Sequence, residues 1–196
     1  RKGKILGKTM QAEIENTVKV LREGGTILYP TDTIWGIGCD ATQQKAVDKV
    51  YKIKKRIEGK SLLILVDDTE RIRDYVADLD PVILDLVKNY DRPLTVIYPG
   101  AKNLARGVAA ADKTIGIRVV RDEFCKQLVK TLGKAIVSTS ANLSGEPAPL
   151  MFNQISAQIR KEVDYVVNLY QDSIRTMKPS RIIRIKEKGD FEIVRH

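Results

Sequence analysis

The sequence predicts an α/β protein, a sheet covered by helices. Short apolar runs alternate with helical patterns along nearly the whole chain. The runs at 62–66 and 135–137 are apolar without interruption, as strands buried on both faces are. The 196 residues, 43% hydrophobic and 30% charged, suit one globular domain over 1–196 with a sizeable core.

Each element has its own local signal. Residues 10–23 read as a helix, with Thr9 as N-cap and Glu23-Gly24-Gly25 as its stop. Residues 26–29 form a short strand, 43–55 a helix and 62–66 a buried strand. Helices are expected at 69–76 and 81–90, then a strand at 94–98 closed by Pro99-Gly100. A strand at 114–119, a helix at 123–132 and a strand at 135–137 follow. Residues 154–162 read as helix, and 165–169, 182–185 and 191–194 as strands. Neither an internal repeat nor an interdomain linker is evident.

Charge and scarcity narrow the chemistry. The formal net charge of +9 attracts polyanions such as RNA, nucleotides or acidic membranes without choosing among them. The single histidine is His196, so a histidine-based triad or metal site is hard to build. Cys39 and Cys125 form no CxxC pair, which argues against structural zinc or a disulfide scaffold. With no signal-peptide pattern and no run near the ~20 residues of a membrane span, reduced thiols and a cytoplasmic location are expected.

Three polar clusters stand at strands. Pro30-Thr31-Asp32-Thr33 follows the first, Ser138-Thr139-Ser140-Ala141-Asn142 follows residues 135–137, and Arg118 lies inside 114–119. Turn chemistry accounts for any one of them. Two clusters after buried strands plus an in-strand arginine point to a site for carboxylate or phosphate oxygens. The helix at 43–55 adds a clue. At about 100° per residue, Ala46, Val47, Val50, Tyr51 and Ile53 share an apolar arc, and Lys54 falls inside it. That lysine either snorkels out or meets an anion.

Other motifs are set aside. Gly59-Lys60-Ser61 resembles the end of a Walker A loop, but the required first glycine is Lys54 and a strand follows. Gly36-Ile37-Gly38-Cys39-Asp40-Ala41 fits a dinucleotide fingerprint, yet residues 30–35 separate it from its strand and no clean helix starts inside it. Asp67-Asp68 and Asp78/Asp80 abut helix starts, where acids favour the helix dipole.

The chain resembles the YrdC/TsaC family of threonylcarbamoyl-AMP synthases. The matching pieces are residues 30–38, Lys54-x-Arg56 with Lys60, Gly116-Ile117-Arg118 and residues 138–145. Pro179-Ser180 and Ile193-Val194-Arg195 also match, and the resemblance runs from about Ile14 to the end. It implies a twisted open mixed sheet flanked by helices, with a positively charged concave groove. It implies that L-threonine, bicarbonate or CO2 and ATP give threonylcarbamoyl-AMP and pyrophosphate. Transfer proteins then carry the group to an adenosine of tRNA. Lys54 and Arg56 would be catalytic. Thr33, Arg118, Ser138 and Ser180 would hold threonine. Arg56, Lys60, Thr114, Ser140, Asn142 and Arg195 would surround ATP, with Mg²⁺ on the phosphates and no protein metal cage. The alternative is an RNA-binding module, using the same groove for tRNA or double-stranded RNA. Five positions depart from the family pattern: Trp35, Ile57, Leu65, Val120 and Arg181.

Overall fold

A computed structural model describes residues 2–56, 62–173, 179–186 and 189–196. The first helix, α1 (Lys2–Arg22), runs through Thr9 to Lys2 instead of starting beside it. A capping residue starts a helix only where the preceding chain leaves the helix, and here it does not. Met10, Ile14, Val18 and Leu21 form the buried stripe of α1. Gly24 closes it at φ +79, with Gly24 N–H bonded to Leu21 O and Gly25 N–H to Val20 O.

The next two strands make a hairpin, β1 (Ile27–Pro30) and β2 (Trp35–Gly38), with Pro30 opposite Trp35. The sequence alone marks no element between 30 and 42, and two of the four β2 residues are glycine. The glycines serve close approach. A Cβ on Gly38 would lie 2.6 Å from the Val137 carbonyl oxygen and 2.7 Å from Tyr29 Cε1. Tyr29 crosses Gly38 to donate its hydroxyl to Val137 O at 3.0 Å. Both glycines sit in a strand, so the dinucleotide fingerprint is excluded. Gly38→Ala is expected to cost about 1–3 kcal/mol through overpacking, read as a lower urea midpoint.

Helix α2 (Gln44–Lys54) ends where Lys55 turns left-handed at φ 50, which redirects Arg56 away from the helix axis. The next strand is β3 (Leu63–Val66). A 3₁₀ turn at Thr69–Asp74 replaces the expected helix at 69–76, its end drawn off by a bridge between Val76 and Ala101. Asp80 and Pro81 start α3 (Pro81–Asn89), and Asp68 caps the 3₁₀ turn, so both acids act as caps. Then come β4 (Leu94–Tyr98) and β5 (Ile115–Val119). Helix α4 (Glu123–Leu132) lies between the Asp122 cap and left-handed Gly133. Strand β6 (Ile136–Ser140) extends beyond the expected 135–137. Ser138, Thr139 and Ser140 are therefore the end of the strand, not a loop after it.

The helix expected at 154–162 is a 3₁₀ turn at Phe152–Gln154 followed by α5 (Ala157–Glu162). Ser156 restarts the chain there by accepting from Ile159 N–H. Short β7 (Tyr165–Val166), β8 (Arg181–Ile185) and β9 (Phe191–Arg195) complete the described elements. The nine strands form an open mixed sheet in the order β7-β1-β2-β6-β3-β5-β4-β8-β9.

Two cores flank the sheet. On one face α1 and α4 pack on Ile27, Tyr29, Leu65 and Ile136. On the other, Val47, Val50 and Ile53 of α2 and Ile83 of α3 join Ile37, Ile64, Val96, Ile117 and Val137. Tyr51 and Tyr75 are buried in this second core, as their apolar neighbours predict, and Tyr90 packs against it. Residues paired across a sheet share a face. Gly36 pairs with Ser140, Leu63 with Ser138, Leu65 and Thr95 with Arg118, and Ile182 with Thr95 and Arg195. All therefore share the face that α1 and α4 only partly cover, and the exposed remainder is the floor of a cleft.

Candidate active site

A cavity of about 270 Å³ lies on that floor. Its walls include Thr33, Trp35, Gly36, Arg56, Arg118, Ser138, Ser140 and Arg195. Polar groups far apart in sequence meet here because successive strands each contribute a residue to one face.

The β1–β2 hairpin supplies one wall. Thr31 Oγ1 accepts from Thr33 N–H at 3.1 Å and donates to Ile34 O at 2.5 Å, which folds the turn and presents Asp32 and Thr33. Arg118, 2% exposed, comes from β5. Its Nε donates to Asp32 Oδ1 at 3.0 Å. Its Nη1 reaches Thr95 Oγ1 and Ser180 Oγ at 3.4 Å, and its Nη2 reaches Thr33 Oγ1 at 3.3 Å. Thr95 and Ser180 share a hydrogen bond of 2.7 Å. Arg195 donates from Nε to Ser180 O at 2.9 Å and from Nη2 to Ser180 Oγ at 3.2 Å. Partial burial, and then the charge of Arg118, hold the Arg195 guanidinium below its usual pKa. Two cations thus converge on one hydroxyl, a natural place for an anion.

The other wall joins the end of α2 to the end of β6. Lys54, 4% exposed, turns inward. Its Nζ donates to Ser140 O at 2.7 Å, Asn142 Oδ1 at 2.9 Å and Ser140 Oγ at 3.3 Å. This resolves the snorkelling alternative: the head group is held inside by three neutral acceptors. Burial, and then the charge of Arg56, lower its pKa to about 8.

The expected residues divide as follows. Thr33, Arg56, Arg118, Ser138, Ser140 and Arg195 line the cavity, with Ser180 behind its arginines and Lys54 and Asn142 behind Ser140. Thr114 is not brought to it: its hydroxyl donates to Asp112 Oδ1 and its carbonyl accepts from Ala110 N–H. Lys60 lies outside the described residues, as do Gly59-Lys60-Ser61 and Ile57. Sequence reasoning assigned no role to Asp32 or Thr95. The available signals were an acid inside the polar turn and a threonine in the otherwise apolar and aromatic run Leu94 to Tyr98.

Four departures now have positions. Arg181 faces away from the cleft and lies 6.0 Å from the centre of the Tyr90 ring. Val120 is buried and donates its N–H to Val66 O, a bond proline could not make. Leu65 is buried under α1 and α4. Trp35 walls the cavity and packs on Phe152 with ring centres 4.8 Å apart. A larger depression of about 720 Å³ lies between α2 and residues 101–113. Its charged groups, Asp48, Lys102, Arg106 and Lys113, are all exposed, and none of the described candidate residues lines it.

A family model for Sua5, YciO and YrdC proteins, described as telomere recombination, matches residues 19–196. The chain belongs to this family. A threonylcarbamoyl-AMP synthase from Pseudoalteromonas translucida (strain TAC 125) is 32% identical over 161 residues, covering 81% of this chain and 86% of that one. Among solved structures, E. coli YciO matches with a TM-score of 0.80 at 27% identity, over 94% of this chain and 89% of that one. P. abyssi Sua5 complexed with L-threonine matches with a TM-score of 0.84 at 22% identity, over 93% of this chain. The chain spans 53% of that Sua5, a likeness that establishes the fold. The open mixed sheet implied by the family resemblance is the one found.

Proposed function

We propose that the chain is a threonylcarbamoyl-AMP synthase, an enzyme that joins L-threonine, CO2 from bicarbonate, and ATP. The observation that carries this is the buried Arg118 fork, ringed by Thr33, Thr95 and Ser180, in the same cavity as Arg56, Ser140 and Arg195. The first group suits an amino acid carboxylate, and the second suits phosphate oxygens. Relatives that bear the synthase name over most of this chain support the same reading and do not favour the RNA-binding alternative.

The chemistry asks for positioning. The amine of threonine attacks CO2, forming the N–C bond and releasing a proton. A carbamate oxygen then attacks the α-phosphorus of ATP, and the bond to pyrophosphate breaks. Arg118 and Ser138 hold the amino acid. Arg56 and Arg195, with Lys54 behind Ser140 and Asn142, stabilise charge that builds on the phosphates. Holding both reactants together can lower the barrier by several kcal/mol, on the order of 7–11 in the best cases. No histidine is required.

The polar side chains of the cavity are cations and hydroxyls, set beside Trp35 and the apolar Ile34, Leu62, Leu63, Pro179 and Ile182, and this polar set suits phosphate oxygens more than a bare divalent ion. Among the described residues there is no group of three or more His, Cys, Asp or Glu able to hold a metal. Mg²⁺ therefore enters this reading on the triphosphate, as part of the substrate. The product's mixed anhydride makes an acceptor enzyme acting on tRNA the expected partner. Among the described residues, no helix is long and apolar enough to cross a membrane.

Purified protein given ATP and bicarbonate is expected to release pyrophosphate only when L-threonine is added. Release that ignores threonine would sink this proposal.

A further inference from the structure

Asp32 places an acid against the machinery of a cleft whose proposed chemistry asks for none. Its side chain is 11% exposed and that of Arg118 only 3%. Arg118 lines the cavity, while Asp32 stands behind it and does not. Asp32 therefore acts on a bound molecule through the guanidinium.

The distances show how Arg118 is gripped. Its Nε contact with Asp32 is 3.0 Å, a full hydrogen bond. The Nη1 and Nη2 contacts, at 3.3–3.4 Å, are all long and all go to hydroxyls. A guanidinium takes a carboxylate best through two parallel N–H groups. With Nε engaged by Asp32, the free pair is Nη1 and Nη2, and their hydroxyl partners are weak enough to exchange.

We propose that Asp32 is a positioning residue that fixes the plane of Arg118 so that its two Nη groups meet the substrate carboxylate end-on. This rests on the synthase reading of the same cleft. Two effects of Asp32 oppose each other. Its charge disfavours a second carboxylate nearby, and its hydrogen bond removes the rotational freedom of a long side chain. An unheld buried guanidinium would turn toward other acceptors, so orientation is the dominant effect.

Two conservative variants separate orientation from charge. Asp32→Asn keeps an acceptor oxygen at the same place and loses the charge. Asp32→Glu keeps the charge and displaces it by one methylene. The KM values for L-threonine and ATP, and kcat, are measured from pyrophosphate release. Asp32→Glu is expected to raise the threonine KM about tenfold or more, and Asp32→Asn no more than about threefold. The ATP KM should stay within about twofold in both. A normal Asp32→Glu enzyme overturns the proposal, as does a threonine KM raised more by Asp32→Asn than by Asp32→Glu. An ATP KM that rises in step with that of threonine also overturns it, since that marks a general structural defect. A wild-type enzyme indifferent to threonine overturns the synthase reading itself, and this inference with it.

Discussion

Arg118→Lys is expected to raise the KM for L-threonine by roughly 10²-fold while leaving that for ATP near its wild-type value. The guanidinium makes contacts in three directions at once: Nε to Asp32, Nη1 to Thr95 and Ser180, and Nη2 to Thr33. An ammonium is a point charge with no fork. It can pair with Asp32 or with a substrate carboxylate, but it cannot hold one while presenting two parallel N–H groups to the other. Arg118→Ala is expected to be harsher, because it leaves the Asp32 carboxylate largely buried without its cation. Breaking a buried pair from one side costs about 3–5 kcal/mol, so this variant should also show a lower urea midpoint. Steady-state kinetics with each substrate varied, beside urea denaturation of both variants, reads the two effects separately. A lysine variant with unchanged threonine KM would remove Arg118 from the amino acid site.

Elements with strong local chemistry were legible in the sequence, and those made by long-range approach were not. Helix α4 was readable to the residue because Asp122 and Gly133 mark its ends. Strand β2 was not, because Gly36 and Gly38 look like loop residues until Tyr29 and Val137 are known to lie against them. Lys54 was legible as the one cation in an apolar arc, but its acceptors on Ser140 and Asn142 belong to a different element. Arg118 stood out as a charge in a buried strand. Thr95 and Asp32 did not, because only the pairing of β4 with β5 and the folding of the hairpin bring them to Arg118. Thr114, four residues before Arg118, entered through the family pattern as a backbone contact, and its own N–H and carbonyl are bonded to Asp112 Oδ1 and Ala110 N–H.

Lys54 is expected to give the enzyme a pH limit that its other cations do not. Its pKa of about 8 means that the charge proposed to favour triphosphate binding is present below pH 8 and lost above it. The value of kcat/KM for ATP reports the free enzyme. It should fall as pH rises through about 8 in the wild type. In Lys54→Arg the guanidinium stays charged, so that falling limb should disappear even if the absolute rate drops. Lys54→Met should lower kcat at pH 7 by roughly tenfold or more, because it removes a charge near the phosphates and the ammonium that holds Ser140 and Asn142. Stability should move the other way with pH. The folded-state pKa lies below the ordinary value of 10.5, so between about pH 8 and 10.5 the unfolded chain holds a proton that the folded chain does not. Unfolding free energy of the wild type relative to Lys54→Met should therefore rise across that window, by roughly 3 kcal/mol if the whole interval is traversed. Below pH 8 the lysine is charged in both states, and the folded protein bears the cost of burying it beside Arg56. Urea titrations of the two proteins at pH 7 and pH 10 measure the difference, in which the remaining titrating groups cancel. A flat difference, together with a wild-type rate that does not fall above pH 8, would show that Lys54 keeps an ordinary charge and is no more than a structural tie between α2 and β6.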